Sequence, residues 1–518
     1  MTMAHLLERA ATRWPQTTAF IDGDRSVSFE QAHCRSQALA AWLEAHGGQP
    51  GDRVGLFTHN CFEAFETMFA TWAAGMAIVP ANCRLQVEEL AHIYKDSGVK
   101  FLVYSEPFRD KAFQLKALCP EVETWICVGV PGDDPGYEGI VAEETAFVAK
   151  PVDAGELAWI FYTSGTTGKP KGAMLSHRNL MAMVGQIQLE MNPARPGDVV
   201  LHGAPITHGS GLCAFNNLAY GATNAVIAEQ GSFEPDKVFA LIEKHRVTTM
   251  FLVPTMVRRL VGSPQVSAYD LSSLHTIIYG GAPMPLSHMT QAVQVFGPVF
   301  VQLFGQAEAP MACTVLPKDA HFAEPDADQL RLMSSAGREI LGAEIAIFDG
   351  DGKRLGTCEH GEICVRGDIV MMGYWNNAQA TADAIRSGWL HTGDAGHIDE
   401  QGYLFITDRI KDMIITGGAN VYPREVEDAV CLHPAILEAA VVGIPDDEWG
   451  EQVVAFVAPK QDAVLLAEDV IEHCKALMAD YKRPRRIEIR PNLPKSGYGK
   501  ILRRELRDDL LRSMKRAD

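Results

Sequence analysis

Apolar and polar positions alternate in two rhythms along the first three-fifths of the chain. Short β-branched and aromatic runs at 54–58, 101–104, 124–130, 158–163, 199–204, 224–228, 249–253, 276–279 and 299–304 read as strands. Stretches with helical spacing, such as 62–74, 235–245 and 285–295, stand between them. This order predicts largely parallel sheets covered by helices. After about 317 the texture changes to short strands at 344–348, 361–366, 391–399 and 403–408, with glycine-rich turns and almost no helical pattern. Those strands predict a small β-barrel subdomain. From 412 onward, strands at 413–416, 437–443, 453–459 and 486–490 mix with helices at 423–432, 465–479 and 503–514. The expected fold class is α/β. A large N-terminal domain covers 1–410, with its α/β sheets ending near 317 and its β-rich part at about 318–410. A small α+β domain over 411–518 follows.

Composition narrows the function classes. A chain of 518 residues buries a large core without a disulfide or metal staple. Lys+Arg 46 against Asp+Glu 65 leaves a formal charge of −19, which argues against a general binder of nucleic acid or anionic membrane. A local basic pocket for a phosphorylated substrate is still compatible with it. The 11 cysteines are odd in number, irregular in spacing and without a C-x-x-C pair. They read as reduced thiols of a cytoplasmic protein, neither a disulfide framework nor a zinc site. The start lacks the apolar core of a signal peptide. The longest apolar stretch, 67–79, is too short for a transmembrane segment.

One segment carries most of the chemistry: Thr163-Ser164-Gly165-Thr166-Thr167-Gly168-Lys169-Pro170-Lys171-Gly172, directly after an expected strand. Glycines let backbone N–H groups approach an anion, hydroxyls donate to phosphate oxygens, and lysines offset the charge. It is not a Walker A loop, because Lys169 precedes Pro170 instead of a Ser or Thr and the glycine spacing differs. A glycine-rich surface turn is the plainer reading. The density of hydroxyls and lysines favours a polyphosphate site.

This segment resembles the signature of the adenylate-forming acyl-CoA synthetase superfamily, and further motifs follow in that family's order. Pro205-Ile206-Thr207-His208 resembles its Pro-x-x-His segment, which implies that His208 lies beside the acyl group. Gly209-Ser210-Gly211-Leu212-Cys213-Ala214 also fits a dinucleotide fingerprint, but Pro205 separates it from the preceding strand. Tyr279-Gly280-Gly281-Ala282-Pro283 resembles the segment around adenine and acyl group, with Gly281, Ala282 and Pro283 as contacts. Phe304-Gly305-Gln306-Ala307-Glu308 resembles Tyr-Gly-x-Thr-Glu. The resemblance implies stacking of Phe304 on adenine, nucleotide contacts from Gly305 and Gln306, and Mg2+ on Glu308. Ala307 stands where the family has Thr, so one phosphate contact is missing.

Trp389-Leu390-His391-Thr392-Gly393-Asp394 is similarly close to the family pattern and implies that Asp394 accepts from both ribose hydroxyls. Asp408-Arg409-Ile410-Lys411-Asp412 resembles the hinge, with Arg409 on the ribose and Lys411 at the pivot of a mobile C-terminal domain. Gly417-Gly418 then implies a passage for the pantetheine arm, and Lys500 in Pro494-Lys495-Ser496-Gly497-Tyr498-Gly499-Lys500 implies the lysine of the first half-reaction.

The resemblance implies an ATP-dependent carboxylic acid–CoA ligase. An acyl-AMP forms with release of pyrophosphate, and acyl-CoA and AMP follow. Mg2+ is the implied cofactor, with ATP, coenzyme A and a small carboxylic acid as reactants. No arginine stands at 253–256 or 280–281, which favours a monocarboxylic acid, fatty or aromatic. Two alternatives stay open: a stand-alone adenylation enzyme loading a carrier protein, and a non-catalytic adenylate-binding pseudoenzyme. Luciferase-like oxidation shares the motifs. A homodimer is left open.

Overall fold

The structure is a computed structural model. It describes residues 1–143, 145–163, 170–227, 233–282, 284–417, 419–446, 449–461, 463–495 and 501–517. Two large sheets form the N-terminal part. One runs Gly373–Tyr374, Lys171–Ser176, Leu157–Thr163, Ala77–Pro80, Arg53–Phe57, Val99–Ser105, Thr124–Val128 across its seven strands. The other has nine, from Arg338–Glu339 at one edge to Arg25–Ser28 at the opposite edge. Their middles are parallel, as the β-then-α rhythm demands; both ends of the nine-stranded sheet and the Gly373–Tyr374 end of the other are antiparallel, while Thr124–Val128 closes the latter with a parallel pair.

The helix Phe62–Ala73 shows why these sheets pack as they do. Every residue from Phe62 to Trp72 is buried, which marks a helix covered on all sides. Its Trp72 meets Phe215 at 5.3 Å, and Phe215 meets Trp159 of the first sheet at 6.3 Å, both edge-on. Two carboxylates are carried inside with it. Glu66 accepts Arg35 Nε at 2.7 Å, and Glu63 accepts Arg25 Nη1 at 2.5 Å. A buried carboxylate is tolerable only when it is paired in this way.

The β-rich part is a curled antiparallel sheet built from Ala343–Phe348, Gly361–Gly367, Trp389–Ile398, Ile385–Arg386 and Leu404–Arg409. Two short helices stand there that the sequence pattern does not predict. Ala327–Ser334 is started by a capping box in which Asp326 accepts from Gln329 N, and Ala378–Ala384 is capped by Asn377. Both helices are short, and neither has more than one buried residue, so their apolar periodicity is weak.

The C-terminal part is an α+β unit. Strands Ala419–Val421, Ile414–Thr416, Gly450–Pro459 and Ile436–Asp446 pair in that order, and Arg486–Ile489 joins Gly450–Pro459. Helices Pro423–Cys431, Ala467–Leu477 and Arg503–Ala517 cover it. Lys411 falls in the single turn Ile410–Asp412 between the last strand of the curled sheet and the first of this unit. No helix among the described residues is long and apolar enough to cross a membrane. None of the eleven cysteines, all among the described residues, is in a disulfide, and most are buried.

Candidate functional site

The glycine-rich segment lies in a β-hairpin. Leu157–Thr163 and Lys171–Ser176 are antiparallel neighbours with Thr163 opposite Lys171. The absence of a Walker pattern agrees with this: after the segment the described chain continues as the strand Lys171–Ser176, where a Walker loop would lead into a helix. Of the candidates in the loop, Ser164, Gly165, Thr166, Thr167, Gly168 and Lys169 lie outside the described residues.

The flanks of this hairpin meet a second one. Phe300–Gln306 and Ala309–Leu316 pair antiparallel, and Glu308 sits in the tight turn between them. Gly305 is required there, since a Cβ would stand 2.1 Å from the carbonyl oxygen of Met311. The Tyr374 hydroxyl donates to Glu308 Oε1 at 2.7 Å, and Lys171 Nζ stands 5.3 Å from the centre of the Tyr374 ring. Tyr374 is placed by its strand, where it pairs with Ala173. Burial and the neighbouring Glu308 carboxylate raise the Tyr374 phenol well above its ordinary range, so it stays a donor. Sequence reading missed Tyr374, because it lies in an ordinary run and only the strand register brings it to Glu308. Phe304 is buried in the main core, with 9% of its surface exposed, which leaves little ring free for stacking.

A third strand completes the cluster. Trp389–Ile398 pairs with Gly361–Gly367, and the register jumps: Glu362 faces Ala395 while Cys364 faces His391. The extra residues between 391 and 395 bulge out. Gly393 takes a φ of +72°, a left-handed conformation that suits glycine, and its N–H donates to Glu362 Oε1 at 3.2 Å. The bulge displays Asp394, whose Oδ2 accepts Gln306 Nε2 at 2.7 Å. Gln306 also donates to the Thr392 carbonyl at 3.1 Å. Arg409 Nε stands 3.2 Å from Asp394 Oδ1. Asp394, Gln306 and Arg409 therefore form one polar group at the meeting of two sheets.

His208 stands at the start of the short helix Gly209–Leu212. Its ring meets Phe161 edge-on at 5.2 Å, and its Nδ1 lies 3.0 Å from the Thr207 hydroxyl. Burial pushes the imidazole down to about 4, so it is neutral near pH 7. Gly209 and Gly211 belong to the short helix Gly209–Leu212, and a Cβ at Gly211 would stand 1.8 Å from the carbonyl oxygen of Ile206. Close packing accounts for that glycine without a dinucleotide. Gly281 and Ala282 are exposed just past the strand Thr276–Tyr279, while Pro283 lies outside the described residues.

The junction with the C-terminal unit is built on Asp408. Its Oδ1 accepts Arg409 N at 2.7 Å and Arg503 Nη1 at 3.0 Å, and its Oδ2 accepts the N–H of Arg424 at 2.7 Å. Arg424 is in the first turn of Pro423–Cys431, so the carboxylate also faces the positive end of that helix. Arg503 reaches Glu427 at 2.6 Å as well. Gly417 is exposed, has a φ of +56°, and donates to the Trp449 carbonyl at 2.8 Å. Gly418 and Lys500 lie outside the described residues.

This architecture has known counterparts. The amide bond synthetase McbA from Marinactinospora thermotolerans superposes with a TM-score of 0.88 at 29% identity, covering 98% of this chain and 99% of that one. The fatty acid–[acyl-carrier-protein] ligase ScoC of Streptomyces coeruleorubidus is 35% identical over 95% of this chain and 93% of its own length. A feruloyl-CoA synthase of Amycolatopsis sp. is 35% identical over 96% of this chain and 97% of its own. The model of the AMP-binding enzyme matches residues 7–375, and that of the AMP-binding enzyme C-terminal domain matches 425–500. The chain is thus an enzyme of the AMP-binding, adenylate-forming family of acid-activating ligases.

Proposed function

We propose that this enzyme is an ATP-dependent carboxylic acid–CoA ligase acting on a monocarboxylic acid. The observation that carries the reading is the convergence of Asp394, Gln306 and Arg409 beside the Glu308–Tyr374–Lys171 line. One group suits a ribose and the other a phosphate chain.

The chemistry explains the residue types. A carboxylate must attack the α-phosphorus of ATP, so an anion approaches a polyanion. Lowering that barrier is mostly charge neutralisation and positioning. Lys169 and Lys171 of the hairpin, with Lys500, supply cations in this reading. Asp394 accepts from the ribose hydroxyls, and Arg409 lies along the same edge. The neutral imidazole of His208 adds no charge near the acid and orients it by hydrogen bonding.

The donor set is compatible with Mg2+. Glu308 offers a half-buried hard oxygen beside the one held by Tyr374, and one carboxylate plus substrate phosphates is the usual way such an ion is bound. When bound, Mg2+ supplies further neutralisation of phosphate charge.

In the second half-reaction a thiol, with a free pKa of ~8.5, displaces AMP from the acyl carbon. Lys500 and the Gly417-Gly418 turn both lie beyond Lys411. We place the domain boundary there, at 410/411, and assign Lys411 as the pivot that presents them in turn. Pantetheine then passes Gly417-Gly418.

A second reading has its own support, because ScoC loads an acyl-carrier protein. A panel of fatty and aromatic acids, assayed for pyrophosphate and AMP with coenzyme A, with a phosphopantetheinylated carrier or with no acceptor, separates the readings. Thioester formation on coenzyme A across the monocarboxylates supports the ligase. Turnover only with the carrier supports the second reading. Absence of pyrophosphate with every acid leaves a binding-only protein.

A further inference from the structure

Cysteine spacing along the chain argues against a zinc site, but strand register assembles one that spacing cannot reveal. Glu362 and Cys364 lie two apart on Gly361–Gly367, and His391 is the cross-strand partner of Cys364. His391 Nδ1 stands 2.7 Å from Glu362 Oε2 and 3.3 Å from Cys364 Sγ. One ligand atom from each of the three falls within 4.8 Å of the others. We propose that Glu362, Cys364 and His391 form an inhibitory binding site for a thiophilic divalent cation, zinc, coupled to the loop that displays Asp394.

The donor types support the choice of ion. Sulfur, imidazole nitrogen and one carboxylate oxygen are the set zinc takes, at about 2.3, 2.0 and 2.1 Å respectively. Those bond lengths put tetrahedral ligand atoms roughly 3.5 Å apart. The sulfur–nitrogen distance already fits. The carboxylate–imidazole contact has to open by about 0.8 Å. Three protein ligands leave a fourth position for water, which is the pattern of an exchangeable ion. Cys364 is fully buried, whereas the Glu362 and His391 side chains are 16% and 9% exposed, so the ion enters from the carboxylate side. Arg386, 3.3 Å from Glu362 Oε2, is the competing cation, and its side chain is 53% exposed and free to swing away.

Coupling comes through Glu362. Its other oxygen accepts the N–H of Gly393, the residue whose left-handed backbone sets out Asp394. Drawing the carboxylate onto a cation pulls on that hydrogen bond and disturbs the bulge. The inhibitory part rests on the role proposed above for Asp394. The binding part does not.

The test uses cobalt(II) as a spectroscopic probe and zinc as inhibitor, on the full chain. Wild-type protein should bind one equivalent of cobalt with a thiolate-to-metal band in the near ultraviolet and the visible bands of a four-coordinate site. Cys364→Ala should lose both, and Glu362→Gln should weaken binding by about tenfold or more. Cys364→Ser preserves the volume and serves if alanine destabilises the fold, checked by melting without metal. Zinc, with Mg2+ in excess, should inhibit pyrophosphate release by the wild type. Cys364→Ala should need at least about ten times more zinc. A missing cobalt band in wild type, or one unchanged in Cys364→Ala and therefore arising at exposed Cys34 or Cys358, overturns the site. Binding without inhibition overturns the coupling to Asp394 and leaves the metal site standing.

Discussion

Asp394 and Arg409 are cross-strand partners on two neighbouring strands of the curled sheet, and their side chains meet at 3.2 Å. The remaining carboxylate oxygen is held by Gln306 from a different sheet, at 2.7 Å. Asp394 is therefore oriented from two sides before any nucleotide arrives.

This pairing leads to the first prediction. Asp394→Ala removes an ionised acceptor and leaves Arg409 and Gln306 without their partner. Two ribose hydrogen bonds to a charged group are worth about 1.5–3 kcal/mol each. ATP affinity should fall by at least about a hundredfold, while affinity for the acid stays within a few-fold. Titration calorimetry with each ligand separately checks this. An unchanged ATP affinity would reduce Asp394 to a bulge residue.

Much of this site was legible along the chain because its residues stand in short contiguous motifs. Gly305 and Gly393 were visible as glycines, although one answers to a carbonyl at van der Waals range and the other to a left-handed bulge. The β-then-α rhythm gave the parallel centres of both large sheets. The antiparallel pairs near the sheet ends escaped it, since a strand such as Lys171–Ser176 pairs by folding back on its neighbour, a matter of register rather than composition. Tyr374 and Glu362 escaped for the same reason. The helix Ala327–Ser334 was missed through a different signal: Asp326 and Gln329 form a capping box, but no apolar stripe follows it.

Lys500→Ala should abolish pyrophosphate release from acid and ATP while sparing thioester formation from supplied acyl-AMP. In the proposed mechanism this lysine acts only where charge builds on the α-phosphate. Rapid-quench measurement of each half-reaction separates the two, and equal loss of both would remove Lys500 from the adenylating role.

A pH effect on stability is expected from the buried helix Phe62–Ala73. Burial pushes the Glu66 carboxyl up to about 7, against the opposing pull of Arg35. An unfolded glutamate titrates near ~4.3. Between those values the folded state holds a proton that the unfolded state has released, so this group's stabilisation is full below the lower value and is lost as pH rises through the upper one. The wild-type melting temperature should carry a downward component between about pH 5 and about pH 7. Glu66→Gln should flatten it, because the amide can still accept from the Tyr137 hydroxyl, which lies 3.1 Å from Glu66 Oε2. Parallel melting curves for the two proteins across that range would contradict the assignment.

The last prediction concerns Lys411, in the one turn between the curled sheet and the C-terminal unit. The proposed pivot role has this turn change its backbone dihedrals between half-reactions. Proline fixes φ near about −65°, which matches the values of about −50° to −70° found in such a turn. Lys411→Pro should therefore favour the arrangement in which Asp408 clamps Arg424 and Arg503 and resist the other. One half-reaction should survive in a single turnover, while the other falls by orders of magnitude. Folding should be intact, because the neighbouring Ile410 is 40% exposed and the turn carries little core. Pairing the mutation with Arg503→Ala sharpens the test. Loosening the clamp should restore part of the lost half-reaction if the turn is a pivot, and should restore nothing if proline has merely damaged the region. A collapsed melting temperature with loss of both half-reactions, or full retention of both, would rule out Lys411 as the hinge.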